Sequence, residues 1–128
     1  MVHKVTNSIS ISVETQYQPE HSSPLDNQYL FAYQITIQNK GEATVQLLTR
    51  HWFIFDAIGK HEQVKGDGVV GKQPILKPGE EFQYISACPL RSPMGYMKGI
   101  YTMQNINTSD QFQVAVPKFI MVATERKN

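Results

Sequence analysis

S-I-S-I-S-V-E-T-Q-Y, residues 8 to 17, puts Ile9, Ile11, Val13 and Tyr17 on one side of an extended chain and Ser8, Ser10, Ser12 and Glu14 on the other. Successive side chains of a strand point to opposite faces, so this alternation describes a strand with one buried and one wet face. Residues 29 to 37 repeat it, with Tyr29, Phe31, Tyr33, Ile35 and Ile37 aligned. Asn39-Lys40-Gly41-Glu42 then supplies a turn in which Gly41 is free to take a positive φ, and that turn predicts a hairpin into residues 44 to 55. There T-V-Q-L-L-T-R-H-W-F-I-F is apolar on both faces toward its end, the pattern of a central strand with Trp52 in the core.

Outward from this centre the period stays at two. Residues 60 to 65 read as a short polar strand, and Pro78-Gly79 suit the two central positions of a type II turn. Phe82, Tyr84 and Ser86 alternate into another strand, which Pro89 and Pro93 are expected to end. Residues 96 to 104 and 111 to 123 form two last strands around the polar turn cluster of residues 105 to 110. About seven or more short strands, with no stretch of helical period, define an all-β fold: an antiparallel β-sandwich of immunoglobulin or fibronectin type III character.

A chain of 128 residues matches one domain, spanning 1–128. Twelve Lys and Arg against eleven Asp and Glu leave a net charge of +1, and the charged tail Glu125-Arg126-Lys127 mixes signs. Neither nucleic acid nor an anionic membrane is therefore an expected partner. The opening MVHKVTNSISIS has no continuous apolar core, and no later apolar run approaches about 18 residues, so a cytoplasmic location is expected. The single cysteine, Cys88, forms no internal disulfide, in keeping with a reducing compartment.

K-G-D-G-V-V-G-K-Q-P, residues 65 to 74, carries the strongest chemical suggestion. Gly66, Gly68 and Gly71 satisfy G-x-G-x-x-G, and Gly66 to Lys72 nearly satisfy the P-loop pattern. A dinucleotide fingerprint needs a helix after its glycines and a carboxylate about 20 positions later. Pro74 and Pro78 stand where that helix would run, and residues 86 to 92 hold no carboxylate. Gln73 replaces the hydroxyl residue that would meet Mg²⁺ in a P-loop. The loop comprising Gly66, Asp67, Gly68, Gly71 and Lys72 is thus a sharp connection and a candidate contact loop for a partner or ligand.

Other chemical groups are dispersed. His3, His21, His51 and His61 lack the spacing that sets two imidazoles on one face, so neither a metal site nor a cofactor is expected. Arg50 and His51, beside Trp52, are candidate strand-face contacts. Cys88 reads as a small buried residue near a strand end, without a visible base or oxyanion site. Asp26, Asp56, Asp67 and Asp110 fall in predicted turns, where such side chains commonly bond local amides. No nucleophile, base and stabiliser come together, so no enzyme is expected.

The sequence closely resembles the bacterial ApaG family. The resemblance is carried by V-E-T-Q-Y-Q-P-E-H-S at 13 to 22, L-F-A-Y-Q-I-T-I-Q-N at 30 to 39 and V-Q-L-L-T-R-H-W-F-I-F-D at 45 to 56. It continues through residues 64 to 80, Y-I-S-A-C-P-L at 84 to 90, G-x-Y-T-M at 99 to 103 and F-Q-V-A-V-P-K-F at 112 to 119. The resemblance implies a fibronectin type III-like sandwich, reused in eukaryotic F-box proteins and in a polymerase delta-interacting protein, contexts of protein recognition. It also implies an association with cobalt and magnesium resistance, necessarily indirect for a chain without a spanning segment. A non-catalytic module that binds another protein is the favoured expectation. The alternative is a small-ligand module holding a nucleotide or other phosphate on the backbone amides of residues 66 to 72.

Overall fold

The computed structural model describes residues 1–124, and the tail Glu125-Arg126-Lys127 lies outside them. Among the described residues nine strands form two antiparallel sheets. The first sheet runs β1 (Val2–Thr6), β2 (Ile9–Tyr17), β3 (Tyr29–Asn39), β7 (Glu81–Leu90). The second runs β5 (Lys60–Asp67), β4 (Val45–Asp56), β8 (Met94–Asn105), β9 (Gln111–Val122), with the short β6 (Ile75–Leu76) also paired to β4. The alternating residues of both sheets face each other, and Ile9, Ile11, Ile35, Ile37, Leu47 and Tyr101 are almost wholly withdrawn from water. Such interdigitation of two inner faces is the sandwich that period-two alternation predicts. Among the described residues no helix is long and apolar enough to cross a membrane.

Trp52 sits as expected, 4% exposed in a central strand. Its indole meets Tyr33, Tyr101 and Phe119 edge-on, with ring centroids 5.7, 6.2 and 6.0 Å away. Gly99 lies beneath it, because a Cβ there would come within 2.8 Å of the indole.

Several local expectations are corrected. The turn after β3 makes no hairpin, since β3 and β4 belong to different sheets. Both strands carry an apolar face, and crossing over lets those faces meet instead of lying side by side in one sheet. Gly41 takes no positive φ. The corner is held by the buried Asn39, whose side-chain amide donates to the Ala43 and Leu76 carbonyls and whose Oδ1 accepts from the Gly41 amide.

β7 continues through Pro89, which pairs with Leu30. It is an edge strand, so the missing N–H of proline need not interrupt any ladder bond. Residues 2 to 6, not foreseen as a strand, pair with β2 through a two-residue turn in which Asn7 and Ser8 have φ of 50° and 66°. Two successive left-handed residues are the backbone of a type I′ hairpin. The expected polar strand over residues 60 to 65 reaches Asp67. The Asp56 side chain bonds no local amide: it is buried, and its carboxylate accepts from the Arg91 amide at 2.6 Å and from the Ser92 hydroxyl. This acceptor ties the end of β4 to the β7–β8 connection.

Candidate functional site

β4 presents Arg50 and His51 to opposite sides of its sheet, as neighbours in a strand must be. Arg50 shares its row with Gly66, Tyr101 and Val114, the row that faces the other sheet. Its Nη1 donates to the carbonyls of Asp67 and Gly68, each at 3.0 Å. A Cβ on Gly66 would lie 2.8 Å from that guanidinium, so the glycine leaves it room. Arg50 therefore anchors the glycine loop from within.

The loop is a compact turn. The Val69 amide donates to the Lys72 carbonyl at 2.8 Å, the Lys72 amide donates back to the Val69 carbonyl at 2.9 Å, and the Gly68 amide is bound to the Leu48 carbonyl at 2.8 Å. Val70 and Gly71 fill the two central positions with φ of 44° and 77°, another type I′ backbone. Gly68 also has positive φ, and a Cβ there would overlap the Lys72 carbonyl. Three amides of the predicted cradle are thus committed to carbonyls of the chain itself. The helix that a P-loop requires is replaced by the short strand β6.

Within this turn Val69 is 1% exposed and fastened into the core, whereas Val70 is 49% exposed at the tip. A β-branched side chain crowds its own backbone in the left-handed region, which makes Val70 a conformational outlier. Asp67 and Lys72 are exposed beside it.

His51 faces outward. Its ring shares a hydrogen bond of 2.9 Å with the Gln63 side chain and lies 4.2 Å from the Phe53 ring. A groove of about 430 Å³ runs along this face past Thr49, His51, Lys65 and Thr102 to Asp67 at the base of the loop. The structure thereby brings His51 and the loop to one end of the second sheet and turns Arg50 away from that face. Cys88 is buried as expected, and burial, with the charges of Glu62 and Asp56 adding to it, pushes its thiol up to about 12. Such a thiol stays protonated at neutral pH, the inert form.

Sequence reading missed Val70 and the outward row of Phe53, Phe55 and Tyr96. The available signal was the run of apolar residues on both faces of residues 52 to 55, which marked a central strand but also left rings on the outer side.

Two antiparallel sheets packed face to face, with a rigid turn projecting from one end, define an all-β sandwich domain. The chain belongs to the ApaG family: the family model described as the ApaG domain matches residues 19–105. It is 45% identical to Protein ApaG of Rhodopseudomonas palustris (strain TIE-1) over 127 residues, 99% of this chain and 97% of that one. It is 50% identical to Protein ApaG of Acidithiobacillus ferrooxidans (strain ATCC 53993 / BNL-5-31) over 115 residues, 90% of each. A crystal structure of an ApaA protein from Bordetella pertussis superposes with a TM-score of 0.86 at 42% identity, covering 89% of this chain and 92% of that one.

Proposed function

We propose that this chain is a non-catalytic recognition module of the cytoplasm, binding another protein through the tip of the 66 to 72 loop. The observation that supports this most directly is Val70. An apolar, β-branched residue is held half-exposed at φ 44° by a buried Val69, by paired turn hydrogen bonds and by Arg50 beneath. Strain of this kind persists only where the surroundings impose it, and a rigid apolar tip gives a partner a preorganised anchor. Any link to cobalt or magnesium resistance then runs through the partner.

The test is Val70→Gly, which removes the anchor and relieves the backbone together. The variant is expected to be as stable as the parent or more stable, by up to about 1 kcal/mol. Capture of partner from native cytoplasm, quantified by mass spectrometry, is expected to fall. Undiminished capture by Val70→Gly refutes a contact role for the loop.

A further inference from the structure

We infer that the outer face of the second sheet is a docking surface for an acidic segment of a partner protein carrying apolar anchors. This rests on the protein-recognition reading and adds the surface and the partner's chemistry. Register neighbours share a face, so the pairs Met94–Val122, Tyr96–Ile120 and Phe55–Tyr96 make one contiguous apolar patch. Met94, Ile120 and Val122 are 50%, 52% and 47% exposed. Phe55 stacks on Tyr96 at 5.2 Å, and Phe53 continues the row toward His51. Singly exposed apolar residues are ordinary, but a joined patch of aromatic and aliphatic groups is the usual mark of an interaction site.

The charges around the patch identify the partner. Lys65, Lys98 and Lys118 lie on this face, with His51 and His61, and the Lys118 ammonium sits 4.2 Å from the centre of the Tyr96 ring. Among the described residues the strands of this face carry one carboxylate, Asp67, at the far end beside the loop, and Glu20 borders the groove at the Ile120–Val122 edge, away from the three lysines. The near-zero net charge of the chain thus conceals a cationic face, which complements carboxylates flanking an apolar anchor. A second copy of the chain would set these cations against each other. Single-stranded nucleic acid would use the rings and lysines, but leaves Met94, Ile120 and Val122 without apolar partners, so a polypeptide fits better.

A photo-crosslinking amino acid, p-benzoylphenylalanine, placed in the full chain tests the surface in native cells. Positions 53 and 120 report the proposed face, position 70 the loop, and position 85, which is 66% exposed on the first sheet, serves as control. The expected result is adducts from 53 and 120 to a polypeptide segment in which Asp and Glu surround apolar residues. Lys98→Glu with Lys118→Glu, both at exposed positions, is expected to reduce their yield about tenfold while the melting temperature holds. Unchanged yield in the charge-reversed chain overturns the acidic partner. Adducts from 70 or 85 alone overturn the surface but leave protein recognition standing, whereas adducts to RNA or to a second copy overturn the occupant. No adduct from any position brings down the protein-recognition reading itself.

Discussion

Replacing Trp52 by Ala is expected to destabilise the domain by about 3–5 kcal/mol. An indole buries about 200 Å², and at about 25 cal/mol per Å² its removal forfeits up to about 5 kcal/mol, less what the remaining Cβ keeps. The three edge-on contacts with Tyr33, Tyr101 and Phe119 act beyond burial alone, and the rigid sheets on either side leave a cavity that collapses poorly. Gly99 provides the internal check. A methyl at Gly99 would come within 2.8 Å of the indole and 3.1 Å of the His51 carbonyl, so Gly99→Ala is expected to cost about 1–3 kcal/mol in the parent chain. In the Trp52→Ala background the indole is gone and only the carbonyl crowding remains. Urea unfolding of the parent, both single variants and the double variant should show the two losses falling short of additivity by about 1 kcal/mol or more. A Trp52→Ala loss below about 1 kcal/mol, or a Gly99→Ala loss equal in both backgrounds, refutes this account of the core.

Asp56→Ala leaves the Arg91 amide without its acceptor and the Ser92 hydroxyl with the Met94 carbonyl alone, and is expected to cost about 1.5–3 kcal/mol in urea unfolding, with Asp56→Asn milder. Alkaline pH should also weaken the fold. Burial raises the Cys88 thiol from an ordinary 9.0 to about 12, so between those values the unfolded chain has released a proton that the folded one retains. Stability is then full below about pH 9 and falls as pH rises, with a limiting slope of about 1.4 kcal/mol per pH unit for this group. Tyr33, Tyr84 and Tyr101, all raised chiefly by burial, steepen the loss further above pH 10. Melting followed against pH should show a shallower decline for Cys88→Ser, and an identical slope contradicts a buried thiol. Calorimetry with ATP, GTP or diadenosine tetraphosphate at millimolar ligand should show no saturable binding, and micromolar binding abolished by Lys72→Ala would instead support the phosphate-cradle alternative.

The β-sandwich, the central position of β4 and the burial of Trp52 and Cys88 were determined by the sequence alone. Alternation is a local property: the pleat directs each side chain oppositely to its neighbour, so one strand's pattern shows which residues seek the core. The type II turn at Pro78-Gly79 was equally legible, and Gly79 has φ of 86° with the Glu80 amide bound to the Lys77 carbonyl. Partnership between distant segments was not. Only the tertiary structure sent β3 and β4 to opposite sheets, carried β7 through Pro89 along a free edge, and brought the Asp56 carboxylate its donors from 35 and 36 residues away. The proposed docking surface depended on it most. Lys65, Lys98 and Lys118 are scattered along a nearly neutral chain, and strand pairing alone gathers them on the face that carries Phe55 and Tyr96, because the register across neighbouring strands, which no single segment encodes, decides which side chains share a face.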